Sequence, residues 1–161
     1  WKKDEILLIR FIKKNPHYNY IIAPHEMHHI SHLQKQTGAQ LFSTSNTENI
    51  NSNNVLIIDS IGSLSSMYQY ANIAYIGGGF GSGIHNILEA VAFGLPVIFG
   101  PNYQKSNEAL ELINKKGAIS VSNYKELTSA IDLFSAFDKT IAINYIKKNS
   151  GATTKILEHI I

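Results

Sequence analysis

A chain of 161 residues, 44% hydrophobic and 16% charged, is long enough to bury one good core and too apolar to stay disordered. Its 14 basic and 12 acidic residues leave a formal charge of +2, which gives no electrostatic case for nucleic acid as a partner. There is no cysteine, so disulfides and thiolate metal sites are excluded, and no apolar run reaches the roughly 20 residues that span a bilayer.

In chain order, "DEILLIRFIKKN" reads as a helix, with acids in front, lysines behind and apolar residues at helical spacing, and Pro16 ends it. "YNYIIAP" is a short β-rich run closed by Pro24. "EMHHISHLQKQTG" reads as a helix stopped by Gly38, and "AQLFST" as a second strand. The Asn-rich "TSNTENINSNN" is expected to be an exposed loop. "NVLIID" has the continuous apolar character of a strand buried on both faces.

"SLSSMYQYA" follows as a helix capped by Ser60 or Ser63. "IAYIGGG" is a strand running straight into glycines, and "HNILEAVAFG" a helix that starts near His85 and stops at Gly94. "PVIFGP" is a buried strand, "NEALELINKKG" a helix, "AISVS" a strand and "YKELTSAIDLF" a helix. From Asp138 to Ile161 the chain reads as helical, with a break at Ser150-Gly151.

Strands alternating with helices predict an α/β fold, a Rossmann-like parallel sheet flanked by helices, with no inner boundary over residues 1–161. Such folds bind ligands at the C-terminal ends of the strands. The segments to examine are therefore His25-Glu26, Asp59 to Ser63, Gly77 to Glu89, and Gly100 to Lys105.

His25-Glu26-Met27-His28-His29 matches the H-E-x-x-H of zinc hydrolases. That chemistry needs both histidines on one settled helical face and a third ligand downstream. Here His25 follows directly on a strand and on Pro24, His32 stands where the extended signature has glycine, and Glu48 lies in the Asn-rich loop. The expectation is no metal site.

The glycines are more informative. Gly77, Gly78 and Gly79 end a strand, and Gly81 and Gly83 follow before the next helix. Glycines let a backbone approach a ligand closely, and a helix N-terminus supplies free amides, so the turn suits a phosphate. Glu89, one helical turn beyond His85, can accept both hydroxyls of a ribose. The pattern is neither the dinucleotide fingerprint nor a Walker loop. It leaves a mononucleotide or nucleotide-sugar site of the glycosyltransferase type.

From Asp59 to Val121 the sequence resembles the C-terminal half of the 3-deoxy-D-manno-octulosonic acid (Kdo) transferases. These are inverting GT-B enzymes of glycosyltransferase family 30 that add Kdo to lipid A precursors. His85-Asn86-Ile87-Leu88-Glu89 and Pro96 to Pro101 are the most specific elements, and "IIAPHE" and "WKKDE" also fit. The resemblance implies one half of a GT-B enzyme, a donor domain for CMP-Kdo. In it His85, Asn86 and Glu89 belong to the donor site, with Glu89 on the ribose. Gly78, Gly79, Gly81 and Gly83 face phosphate and sugar. Ser60, Ile61, Gly62 and Ser63 present backbone to cytosine, and His25 lies near the phosphate.

The resemblance further implies no cofactor and no metal, and no catalytic residue within residues 1–161, the general base belonging to an N-terminal domain. That domain would carry the lipid A precursor acceptor and the membrane contact, at the cytoplasmic face of the bacterial inner membrane. The opening on Trp1 rather than Met agrees with a soluble piece of a longer protein that transfers no sugar alone. The sequence departs from the family with Ile84 before His85 and with Ala-Pro-His-Glu in place of a basic stretch. Open alternatives are a GT-B transferase using a UDP-sugar, a nucleotide-binding module without catalysis, and the zinc hydrolase.

Overall fold

The computed structural model describes residues 1–45 and 54–151. Most of the Asn-rich loop, Glu48 included, and the expected helix beyond Gly151 lie outside the described residues. Six strands form, β1 Tyr20–Ile22, β2 Gln40–Leu41, β3 Val55–Ile57, β4 Ala74–Ile76, β5 Val97–Phe99 and β6 Ala118–Ser120. Seven helices accompany them, α1 Lys2–Lys14, α2 Ile30–Thr37, α3 Leu64–Met67, α4 Leu88–Ala92, α5 Asn107–Asn114, α6 Tyr124–Phe134 and α7 Thr140–Asn149. Hydrogen bonds group the strands into two parallel sheets, β1-β3-β2 and β4-β5-β6. The α/β class with parallel strands and crossover helices is the one the alternation demands.

Side-chain alternation along β5 organises the larger core. Val97 and Phe99 point to one face, where α4, α5 and α7 bring Ile87, Ala90, Leu112, Ala142 and Tyr145. Ile98 points to the other face, where α1 and α6 bring Leu7, Phe11, Leu127 and Phe134. Among the described residues the first sheet is covered on one face only: Val55 and Ile57 pack with Ile12 of α1 and Leu33 of α2, while Leu56 and Ile21 face outward and stay half-buried or exposed. Within the described residues the apolar run at β3 is thus buried on one face rather than both.

Two other elements are shorter than their patterns suggest. β2 ends at Leu41 because Ser43 turns its amide onto the Asp59 carboxylate at 2.9 Å, and the chain continues as a 3₁₀ turn, Phe42–Thr44. The segment after β1 also begins as a 3₁₀ turn, Met27–His29, so that α2 proper starts only at Ile30. Where a local cap exists, the boundary agrees with the pattern. Ser106 and Asn123 accept from the amides of Ala109 and Glu126 at the starts of α5 and α6. Gly38 closes α2 in a left-handed conformation.

Helix α1 joins the two sheets through its buried face, Asp4, Leu7, Phe11 and Ile12. Asp4, only 3% exposed, accepts a 2.9 Å hydrogen bond from the Tyr75 hydroxyl of β4. Its other oxygen has no partner among the described residues. Burial, and next the charge of Asp4, push the Tyr75 hydroxyl well above the ordinary phenol range, so it stays a donor. Removing that donor leaves a buried carboxylate with nothing to bind. Tyr75→Phe is expected to cost about 1–3 kcal/mol in urea denaturation, more than the loss of an exposed tyrosine hydroxyl such as that of Tyr70.

Candidate functional site

The ends of β4 and β5 meet without side chains between them. A Cβ on Gly79 would lie 2.5 Å from the amide nitrogen of Gly100, and one on Gly100 would lie 2.5 Å from the carbonyl carbon of Gly79. This contact carries the glycine turn across the end of the sheet. Asn102, just after β5, then fastens it twice, its amide donating to Gly79 O at 2.8 Å and its side-chain amide to Gly81 O at 2.7 Å. Gly78 has φ +93, and a Cβ there would meet Gly83 O at 2.4 Å. Gly81 and Gly83 both donate back to Gly78 O, and His85 donates to Gly77 O at 3.3 Å. Among the described residues the amides of Ser82 and Ile84 have no partner.

The bond from His85 to Gly77 has a consequence for the next helix. His85 is held outside it, and α4 begins only at Leu88, whose amide is taken by Asn86 Oδ1 at 3.0 Å. The helix that the pattern starts near His85 is thus five residues long, and its dipole is correspondingly weak. Ile87, buried at 2% exposure, anchors the segment and leaves Asn86 and Glu89 exposed. Asn86 Nδ2 donates to Glu89 Oε1 at 3.0 Å, fixing one oxygen of that carboxylate. Burial, and then the charge of Glu89, push the Tyr68 hydroxyl upward, so Tyr68 stands on the same side as the acid.

After β3, Ser60 to Gly62 form a turn before α3. Ser60 and Ser63 bond to each other, Oγ to Oγ at 2.8 Å, and neither caps the helix: Ser63 holds the cap position, but its hydroxyl accepts from no amide of α3. Gly62 has φ +89 with open space around it, and Ile61 is 94% exposed. This loop presents bare backbone.

His25 lies in a bend after β1 and is brought to His85, ring centres 5.1 Å apart. Trp1 lies against both, 4.5 Å from His25 and 4.3 Å from His85, with its six-membered edge over Gly77. Sequence reasoning gave Trp1 no role; its only signal was being the chain's one tryptophan. His29 Nδ1 reaches Glu5 Oε1 at 2.8 Å. Burial alone would raise the Glu5 carboxyl, and the hydrogen bond from His29 is the foremost influence drawing it down, below the usual carboxylate range.

The H-E-x-x-H pattern does not form a helical zinc face, because His25 sits in a bend and His29 in a 3₁₀ turn. The groups that do converge are Glu26, His28 and His29, with His28 Nε2 3.2 Å and His29 Nε2 3.8 Å from Glu26 Oε2. These donors, within 4.8 Å of one another, are the only described group that can hold an ion, and Glu26 and His28 are well exposed.

A cleft of about 600 Å³ opens between the glycine turn, residues 81–85, and the loop after β5, residues 102–106. Of the residues singled out in the sequence, Gly81, Gly83 and His85 line it; Glu89, Asn86, His25 and the Ser60–Ser63 turn do not. Asn102 and Lys105 do, on the segment Gly100 to Lys105 that its place after a strand marks for examination, with no role given to either residue by the pattern. A groove of about 530 Å³ along α6 holds none of the sequence-predicted residues.

This arrangement, an α/β domain with a glycine turn and an exposed acid after its parallel strands, is a Rossmann-like fold with its loops at the C-terminal strand ends. The chain is 32% identical over 144 residues to a 3-deoxy-D-manno-octulosonic acid transferase of Aquifex aeolicus, a match covering 86% of this chain and 40% of the relative. It is likewise 32% identical over 144 residues to the same transferase of Rickettsia prowazekii, covering 86% of this chain and 30% of that one. Its fold matches the crystal structure of the C-terminal CMP-Kdo binding domain of WaaA from Acinetobacter baumannii, with a TM-score of 0.68 at 17% identity, over 88% of this chain and 78% of the other. No protein-family model matches the chain. The chain is a relative of the Kdo transferases, and it spans less than half the length of the curated relatives it matches.

Two outcomes are expected from the geometry. Gly79→Ala forces backbone against backbone and is expected to lose about 1–3 kcal/mol of stability or to prevent folding. Gly81→Ala meets nothing nearer than 3.5 Å and is expected to fold with nearly unchanged stability, both read by thermal melting. Burial against Trp1, and next the neighbouring His25, lower the His85 pKa below its ordinary 6.5. The unfolded chain then binds more protons at His85 than the folded one, so this contribution is present above about pH 6.5 and is lost as the pH falls below it. Denaturation at about pH 7.5 and about pH 5.5 should show a larger loss on acidification for the wild type than for His85→Gln.

Proposed function

We propose that the chain is the donor-binding domain of a Kdo transferase, the C-terminal half of a GT-B enzyme, holding CMP-Kdo at the C-terminal edge of its sheets. The observation that carries this is the sequence match to Kdo transferases: covering 86% of the chain, it cannot miss the mid-chain glycine turn or Glu89. The match in fold to a CMP-Kdo binding domain supports it.

In this reading Glu89, with one oxygen fixed by Asn86, accepts the ribose hydroxyls. The exposed backbone of Ser60, Ile61, Gly62 and Ser63 faces the cytosine. The glycine turn faces the phosphate, with His25 and His85 beside it. As the bond from phosphate oxygen to the anomeric carbon breaks, CMP gains charge, and donors already aimed at it stabilise the transition state more than the ground state. Because α4 is short, the amides of Ser82 and Ile84 supply more of that effect than a helix dipole does. No metal takes part in this step.

The general base, the lipid A precursor acceptor and the contact with the cytoplasmic face of the inner membrane belong to the rest of the enzyme. No helix among the described residues is long and apolar enough to cross a membrane. The chain alone then binds donor and transfers nothing.

The reading is tested by thermal shift and calorimetry with CMP and UDP. CMP is expected to stabilise the chain, with or without chelator, and Glu89→Gln to weaken CMP binding about ten- to hundredfold, the loss of one hydrogen-bonded charge. Stabilisation by UDP and not by CMP would replace Kdo transfer with a UDP-sugar transferase.

A further inference from the structure

The cleft between the glycine turn and the loop after β5 has an electrostatic character that the nucleotide contacts leave unused. No carboxylate lines it. The nearest acid in the chain, Glu108, is held by the Ser106 hydroxyl at 3.0 Å. Most polar side chains of the loop are already spent. Asn102 donates to Gly81 O, Gln104 folds back onto Pro101 O and the Tyr103 amide, and Ser106 caps α5. Lys105 is different. It is exposed, lines the cleft, and makes no ion pair or hydrogen bond among the described residues. His85, across the cleft, is held toward its neutral form by burial and next by His25, so that among the described residues lining the cleft Lys105 is the standing cation.

A ulosonic-acid donor such as CMP-Kdo bears two anionic groups on one carbon: the phosphodiester and a carboxylate, both attached to the anomeric centre. The glycine turn borders the cleft through Gly81 and Gly83, so a sugar whose phosphate lies on the turn reaches the cleft directly. We infer that the Lys105 ammonium binds the carboxylate of the donor sugar in this cleft, and so sets the preference for ulosonic-acid donors over the bare nucleotide. This rests on the reading of the chain as a CMP-Kdo binding domain. A single unpaired ammonium beside an uncharged cleft wall gives selectivity by charge, whereas a UDP-hexose has no carboxylate to place there.

The test measures binding of CMP, of a hydrolysis-resistant CMP-Kdo analogue, and of the same analogue with its carboxylate converted to a carboxamide, to wild type and to Lys105→Met. The wild type is expected to prefer the acid over CMP, and that preference to shrink about ten- to hundredfold in Lys105→Met. The carboxamide should bind wild type and variant alike, so that the two changes are not additive. Lys105→Arg should restore most of the preference. Equal losses for CMP and for the acid would assign Lys105 to the phosphate and overturn the inference, as would a preference that Lys105→Met leaves unchanged. Failure of the wild type to bind CMP at all would instead strike the donor-domain reading, and this inference with it. Because Lys105 is exposed and unpaired, its variants are expected to melt with the wild type, which separates a binding effect from misfolding.

Discussion

The contact of Gly79 with Gly100 is the constraint on which the rest of the site depends. Two strand ends touch backbone to backbone, at a distance where neither can carry even a methyl group. Only from that contact can Asn102 reach both Gly79 O and Gly81 O, and only with the turn so fastened can Gly78 accept from Gly81 and Gly83. The amides of Ser82 and Ile84, the placement of His85 and the cleft beside Lys105 all follow from it. Binding elements here are positioned by the absence of side chains in the layer beneath.

The crevice is built with few fixed charges. Lys105 is the base on the cleft, with the glycine-turn amides and the His85 imidazole beside it, while the exposed acid Glu89 stands outside the cleft lining. Such a division suits a ligand with hydroxyls at one end and anions at the other. It also explains why a net charge of +2 says little about the partner: the discrimination is local, a matter of which single charge stands where. The pair of Glu5 and His29 ties the start of α1 to the 3₁₀ turn after β1.

Much of the fold was legible because the signals are local. Short apolar runs at Val97–Phe99 and Ala74–Ile76 give two neighbouring strands of one sheet, and Ser106, Asn123 and Gly38 mark helix ends through bonds within a few residues. What the pattern missed depends on distant partners. α4 starts late because His85 is bonded to Gly77 and Asn86 competes for the amide of Leu88. β2 is cut short by Asp59, which arrives from another strand. For the candidate site, the glycines, Asn86 and Glu89 could be picked out as residue types at useful spacing. Their grouping could not, and the structure sets Gly81, Gly83 and His85 on the cleft while Glu89 stands by Tyr68. Trp1 and Asn102 were silent because neither residue type announces a stacking or fastening role.

The ring of Trp1, packed against two imidazoles at the mouth of the crevice, makes this molecule its own optical probe. With no second indole in the chain, all tryptophan emission originates there. An imidazolium accepts an electron from an excited indole and an imidazole does so poorly. The brightness of the protein therefore tracks the charge state of His85, and anything that displaces the indole from beside it announces itself as light.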